Sequence, residues 1–299
     1  RQTGTKPCTF ARAAKIIHVD IDSGELNNKV IAHYPINMDV KEFLTLLNRC
    51  IDTYDTRKIA SWKQTVKAYK DRYEPRFVSN NGNIDPNRFI QKLSEYLPSD
   101  AIVCVDVGQN QMWSAQSLVV KRGQRFLTEG GMGSMGSALP MAIGACFAQP
   151  AKMVVVITGD GGFQLNIQEL ETMYHHNLPI KIILLNNKCY GMIKQFQTQY
   201  FNSKYQSTVR GYSSPDFQNV VSAYKIPVMK ISQSSELDLI ATIFDDRRPM
   251  FLEVVVDSSC LVLPKLSVNR PIEDQEPLLP RSELKSNMIV DMLDDPEDI

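Results

Sequence analysis

The 299 residues are enough for about two domains, and a composition 43% hydrophobic and 22% charged is that of a folded globular protein rather than a disordered or fibrous one. Lysine plus arginine equals aspartate plus glutamate at 33 each, so no charge excess points to nucleic acid or to an anionic membrane surface. The longest apolar runs, MVVVI at 153–157 and the lysine-interrupted IKIILL at 180–185, fall short of the ~20 residues a membrane helix needs. The six cysteines contain no CxxC pair and the four histidines have no metal-ligand spacing. That argues against a zinc ribbon or a secreted disulfide framework, and fits a reducing, cytoplasmic setting. The chain opens on Arg1 without a signal peptide and is expected to be the back portion of a longer polypeptide.

In chain order, AKIIHVDID (14–22) predicts a buried strand closed by a turn at Asp22-Ser23-Gly24. Helices are expected over 39–50 and 56–72, then a linker at SNNGNIDP (79–86). Asp85 and Pro86 cap the start of a helix over 86–96. Strands follow at 101–107, 125–128, 152–158, 180–186, 227–232 and 250–256. Helices lie between them at about 110–119, 136–148, 166–176, 190–200, 215–225 and 235–245. Most of the strands are continuous apolar runs, the mark of a parallel sheet covered on both faces. The expected fold is therefore α/β, an open parallel six-stranded sheet with helices on both faces over 85–257. The proline- and acid-rich remainder, 258–299, reads as an extended tail with one short helix at 281–293.

In such a sheet, ligands bind beyond the carboxyl ends of the strands. Strand 152–158 runs into Gly159-Asp160-Gly161-Gly162 and the next strand ends in Asn186-Asn187. Taken singly, GDG reads equally as a turn and Asn-Asn as the end of a strand. Together they place a carboxylate and an amide oxygen 27 residues apart, the length of one helix and one strand. Those are hard ligands suited to a magnesium ion that also contacts phosphate and water. Flexible glycine N–H groups ahead of a helix suit the phosphate itself. His175 and His176 close a helical pattern and read as solvated or capping positions, and Cys104 and Cys146 as inert core residues.

GDG, this spacer and NN resemble the signature of thiamine diphosphate (ThDP) enzymes. Residues 14–257 resemble the last part of the acetolactate synthase (acetohydroxyacid synthase) family. The resemblance runs through AKIIHVDID, DVGQNQMW (106–113), EGGMGSMGSALPMAIGA (129–145), GDGGFQLNIQEL to ILLNNKCYGMIKQFQ (159–197), SKYQST (203–208) and PDFQNVVSAYKIP (215–227). It implies that 1–50 is the C-terminal end of a central domain, 51–84 a linker and 85–257 the domain that binds the ThDP diphosphate and magnesium. It further implies that Asp160, Asn187 and the backbone carbonyl of Cys189 hold magnesium. Gly161 and Gly162 would admit the diphosphate, with Gly108, Gln109 and Asn110 on its other side. Met135 would bend the cofactor, the Gly133 carbonyl would accept from its amino group, and Gly191 and Met192 would line the pocket. Met192 and Phe196 would face substrate.

The implied activity is pyruvate decarboxylation followed by condensation with a second 2-ketoacid, in a homodimer or higher homo-oligomer. The glutamate that activates the pyrimidine in this family lies on a domain outside this chain. Glu169 and Glu171 are expected at surface or salt-bridge positions on helix 166–176, and the chain alone is expected to be an incomplete, inactive portion. Three departures bear on substrate. Asn110 stands for the family's histidine, Phe196 for its tryptophan, and LVLPKLSVNRPIEDQEPLLP (261–280) for its proline-glycine lid. A decarboxylase or aldehyde lyase of the same fold, and a non-catalytic subunit that borrows a partner's pyrimidine domain, stay open as alternatives. HVDID is too short to decide FAD.

Overall fold

The computed structural model describes residues 3–51, 55–73 and 82–293, with Thr56 described by its backbone alone. The contacts divide them into two units, one from residues of 1–75 and 263–299, the other from residues of 76–262.

The first unit begins with a two-stranded parallel ladder, β1 (Ile17–Asp20) and β2 (Tyr34–Asn37). The Asp22 carboxylate accepts from Gly24 N–H at 2.8 Å, which makes the expected turn. The expected burial of β1 is corrected, because Ile17 is exposed and no residue of β1 is fully buried. A two-stranded ladder leaves its faces largely open. β2 was not expected, since a four-residue strand containing Pro35 gives almost no alternation to read. Helices α1 (Val40–Ile51) and α2 (Ala60–Arg72) follow, α2 entered through a 3₁₀ turn at Thr56–Ile59.

The second unit is the six-stranded sheet. α3 (Pro86–Tyr96) starts as expected, with the Asp85 carboxylate accepting from Arg88 N–H at 2.9 Å. The linker expected at 79–86 lies partly outside the described residues. Its last part is no loose connection, because Ile84 is fully buried and bridges to Val256. Then come β3 (Ile102–Val105), α4 (Gln109–Ser117), β4 (Arg125–Thr128), α5 (Ala138–Ala148) and β5 (Val154–Gly159). After them the chain runs through α6 (Asp160–Phe163), α7 (Glu169–His175), β6 (Ile180–Asn186), α8 (Gly191–Tyr200) and α9 (Phe217–Ala223). β7 (Val228–Ile231), α10 (Ile240–Ile243) and β8 (Met250–Val255) complete it. The helix expected over 235–245 is mostly 3₁₀, spanning Ser234–Leu239 before α10. Its buried positions Leu237, Ile240 and Ile243 recur every third residue, the period of the tighter helix.

The strand order is β4-β3-β5-β6-β8-β7 and every pair is parallel. Alternate residues of each strand feed different cores. Val103, Val105, Val155, Ile157, Ile183 and Leu185 pack with α3, α4 and α10 residues on one face. Ile102, Cys104, Val154, Val156, Ile182 and Leu184 pack with α5, α7 and α9 residues on the other. Burial on both faces is why these strands read as unbroken apolar runs. Lys181 is tolerated in β6 because its ammonium donates to the Arg248 carbonyl at 2.6 Å and lies 3.7 Å from Asp246. Cys104 and Cys146 are buried, and burial pushes the Cys104 thiol up to about 12.

The tail is more ordered than an extended arm. β9 (Lys265–Leu266) and β10 (Gln275–Glu276) pair antiparallel, and α11 (Arg281–Asn287) is shorter than the helix expected at 281–293. From residue 263 on, the anchors of its described part lie in the first unit. Buried Asp274 takes Arg270 and Arg281, Arg12 bonds Glu273 at 2.8 Å, and the Tyr69 hydroxyl donates to the Asn287 carbonyl at 2.9 Å.

Phe163, one turn past Asp160, is buried with its ring 5.7 Å from Phe217 and 5.6 Å from Phe251. Phe163→Ala should therefore cost about 3–5 kcal/mol. Urea unfolding measures it, and an unchanged midpoint would show that this packing is dispensable.

Candidate functional site

The chain passes from β3 out to β4 but from β5 across to β6, so successive connections leave the neighbours β3 and β5 in opposite directions. The crevice at such a switch point, beyond the carboxyl ends of the strands, is where open α/β sheets bind ligands. A cavity lies there, lined by Gly108, Gln109, Asn110, Met135, Asp160, Gly161, Gly162, Asn187, Cys189, Gly191 and Met192, together with Trp113 and Tyr190. Eleven of the thirteen residues assigned from sequence to cofactor, metal or substrate thus share one cavity wall. Gly133 and Phe196 lie off it. Gly133 is on an exposed loop at φ +71°, and Phe196 is 43% exposed with its ring 4.6 Å from that of Tyr200.

Three helix starts converge on this cavity. α4 begins after Gly108, α6 after Gly159 and α8 after Tyr190, and none of these N-caps has a side-chain hydrogen bond to the first turn. The leading N–H groups of a helix have no partner inside it, and the helix dipole adds positive potential there. Uncapped helix starts around one cavity suit an anion such as a diphosphate.

Beside them stands the carboxylate. In the β5–β6 ladder Gly159 lies opposite Leu185, so Asp160 and Asn187 emerge past the same end of adjacent strands. Asp160 is 2% exposed and Asn187 7%. Burial pushes the Asp160 carboxyl up to about 6, against hydrogen bonds from the Tyr212 hydroxyl and from the N–H groups of Asp160, Gly161 and Asn187. The Tyr212 hydroxyl donates to Asp160 Oδ2 at 2.7 Å. Burial first, and the Asp160 carboxylate second, raise the pKa of that phenol, so it remains a donor. A desolvated carboxylate beside an amide oxygen is a setting that a hard divalent cation would relieve. Among the described residues no three His, Cys, Asp or Glu side chains are grouped to hold a metal. A cation here would draw its other ligands from amide, backbone or ligand oxygens.

The amide of Asn187 is oriented by a relay. Its Nδ2 donates to Gln109 Oε1 at 2.8 Å, and Gln109 Nε2 donates in turn to the Cys260 carbonyl at 3.2 Å and to Gln195 Oε1 at 3.3 Å. Gln195 is itself pinned by Val262, whose N–H it accepts and to whose carbonyl it donates, both at 3.0 Å. With Nδ2 committed, Oδ1 is the end left to accept, and it takes the Cys189 N–H at 3.3 Å with one lone pair. Asn110 Nδ2 donates to the Asp106 carbonyl at 2.7 Å and to the Ile157 carbonyl at 3.4 Å, so this residue binds the ends of β3 and β5 together.

Two carboxylates shape the glycine-rich segment. Asp106, fully buried, accepts from Gly136 N–H at 2.8 Å, Ser137 N–H at 3.1 Å and the Thr158 hydroxyl at 3.1 Å. Glu129 accepts from Met132 N–H at 3.2 Å and Ser134 N–H at 2.9 Å. Met135 is held between these two anchors. The glycines of the GDGG turn have a packing reason of their own. A Cβ on Gly161 would meet the Tyr190 ring at 2.5 Å, and one on Gly162 would overlap the Asp106 carboxylate.

Sequence reasoning did not single out Asp106, Glu129, Tyr190, Gln195 or Tyr212. Asp106 had a signal, an acid closing an otherwise apolar strand. Tyr212 had none, since it lies in a loop without periodicity. Glu169 and Glu171 are off the cavity as expected, Glu171 exposed and Glu169 accepting from the Thr172 hydroxyl at 2.9 Å, and His175 and His176 are exposed.

Residues 106–254 match the family described as "Thiamine pyrophosphate enzyme, C-terminal TPP binding domain". The chain is 36% identical over 263 residues to the acetolactate synthase large subunit of Lactococcus lactis, covering 88% of this chain and 45% of that protein. It is 34% identical over 290 residues to the acetolactate synthase isozyme 2 large subunit of Escherichia coli K12, covering 97% and 49%. It is 35% identical over 255 residues to the probable acetolactate synthase large subunit of Methanocaldococcus jannaschii, covering 83% and 43%. The chain thus spans just under half the length of these curated relatives.

The glycine packing gives a paired test. Gly162→Ala, driven against Asp106, should destabilise by about 1–3 kcal/mol. Gly144→Ala, inside α5 with nothing within 4 Å of the new methyl, should stabilise by up to about 1 kcal/mol. Thermal unfolding of the two variants should shift in opposite directions.

Proposed function

The chain belongs, through residues 106–254, to the thiamine pyrophosphate enzymes, and on that premise we propose that it is the diphosphate- and magnesium-binding portion of an acetolactate-synthase-like carboligase acting on 2-ketoacids. The observation that carries this reading is the meeting of Asp160 and Asn187 with three uncapped helix starts at the switch point of the sheet. The relatives named acetolactate synthase support the choice of reaction.

In this reading Asp160, the Asn187 amide oxygen and the Cys189 carbonyl hold magnesium. Gly161 and Gly162 let the backbone approach the diphosphate, and Gly108 with the first N–H groups of α4, at Gln109 and Asn110, contacts it from the other side. Met135, Gly133, Gly191 and Met192 surround the rings of the cofactor. The chemistry supplied by bound ThDP is decarboxylation of a 2-ketoacid and transfer of the remaining carbon unit to a second carbonyl. This chain's residues bind, orient and exclude water. The buried relay from Cys260 through Gln109 keeps the Asn187 amide turned the right way, and Asp106 and Glu129 hold Met135 in place. Phe196 would reach substrate only at the mouth of the site, since it lies off the cavity wall. The pyrimidine-activating glutamate is supplied by a further domain, and two subunits join to complete the site.

In the complete enzyme Asp160→Ala should abolish magnesium-dependent ThDP binding, measured by calorimetry, whereas Asn187→Ala, which removes a neutral ligand, should weaken it less. Unchanged affinity in Asp160→Ala sinks the assignment. With the front half carried by its relatives supplied, pyruvate, ThDP and magnesium should yield acetolactate. Acetaldehyde without acetolactate would move the reading to a decarboxylase, and neither product would end it.

A further inference from the structure

We propose that Tyr212 sets the cation preference of this site, making Asp160 a one-oxygen ligand that suits magnesium and disfavours calcium. The inference rests on reading Asp160 and Asn187 as cation ligands.

The geometry is specific. The Tyr212 hydroxyl donates to Asp160 Oδ2 at 2.7 Å. Its ring stands edge-on to Tyr190, with centroids 4.7 Å apart and planes at 71°. Tyr190 lines the cavity, and its ring occupies the space a side chain at Gly161 would need. The loop carrying Tyr212 is folded and tied to the turn between β6 and α8. Tyr190 N–H donates to the Thr208 carbonyl at 3.2 Å, and the buried Thr208 hydroxyl donates to Gln197 Oε1 at 2.6 Å. Within the loop, Ser207 N–H bonds the Arg210 carbonyl at 2.9 Å and Arg210 N–H the Tyr205 carbonyl at 3.1 Å. The phenol is therefore held at a fixed place against Asp160 and Tyr190.

The consequence follows from the ligand habits of the two ions. Magnesium demands a tight octahedron, met by one oxygen from each carboxylate plus water and phosphate oxygens. Calcium takes six to eight oxygens at longer range and often draws both oxygens of one carboxylate. With a charge-assisted hydrogen bond on Oδ2, that oxygen offers one lone pair fewer and the carboxylate plane is fixed. Magnesium can bind through Oδ1 and leave the bond intact. Calcium must give up the second oxygen or displace the phenol, and either weakens it.

The test uses the protein completed by the front half that its relatives carry, with binding read by calorimetry. Magnesium chloride and calcium chloride are titrated separately at fixed ThDP. Tyr212→Phe removes the hydroxyl and keeps the ring. It should lower the ratio of the calcium to the magnesium dissociation constant by about five- to tenfold, the scale of one typical net hydrogen bond. Tyr212→Met, which also lacks the hydroxyl, should lower it too and stands in if the phenylalanine variant misfolds. An unchanged ratio in the folded variant, including equal weakening of both ions, overturns the role of Tyr212 alone. A cation response that survives Asp160→Ala, or is absent from the completed unaltered protein, overturns the cation reading beneath it.

Discussion

A parallel strand buried on both faces has little room for polar side chains except where it ends, and that constraint organises the large unit. β3, β5 and β6 are apolar along almost their whole length and turn polar together at their carboxyl ends, at Asp106, Thr158 and Asn186-Asn187. The parallel register brings those ends to one edge, and the switch of direction between β3 and β5 opens that edge into a cavity. The two buried charged side chains within the strands are each engaged. Lys181 reaches the Arg248 carbonyl, and Glu253 accepts from Asn186 at 2.8 Å and Gln218 at 3.2 Å and lies 3.5 Å from Lys230. Unpaired groups there would carry the full cost of desolvation.

The same edge gathers unsatisfied backbone. Because α4 and α8 begin without a capping side chain, their leading N–H groups stay available, while in α6 the N–H groups of Asp160 and Gly161 turn to the Asp160 carboxylate. An ordinary stable protein would cap them for about 1 kcal/mol each. Leaving them uncapped around a buried carboxylate stores a need for both an anion and a cation, which a metal diphosphate meets at once. Around this open centre the supporting contacts are closed. Asp106 joins the glycine-rich segment to β5, the Gln109–Gln195 pair joins Asn187 to residues 260–262, and Tyr212 joins a folded loop to Asp160. The donors and ligands at the cavity are thus held by residues that need not touch any ligand.

The smaller unit has a different balance. β1 and β2 make a lone parallel pair, and α1 has no buried residue among those described. Its best-satisfied part is the C-terminal segment, where Asp274 and Glu273 are paired with arginines and tyrosine hydroxyls close the contacts to α11.

The sequence alone determined the large sheet and the wall of its cavity. Unbroken apolar runs predict six parallel strands and the GDG–NN spacing puts Asp160 and Asn187 at the ends of successive strands, because both signals are local; that those two strands are neighbours is decided by the fold. Strand β2, the 3₁₀ run at Ser234–Leu239 and the order in the tail were less legible, since short elements and packing-dependent turns carry little periodicity. What only tertiary structure decided is which distant residues act on that pair. Gln109 lies 78 residues from the amide it orients, and Tyr212 lies 52 from the carboxylate it bonds. It also showed the GDGG glycines to be required by Asp106 and Tyr190. Such contacts depend on side chains meeting across the fold, and no spacing along the chain records them. Asp160 and Asn187 could be read from the chain, but the partners that orient them exist only once it has folded.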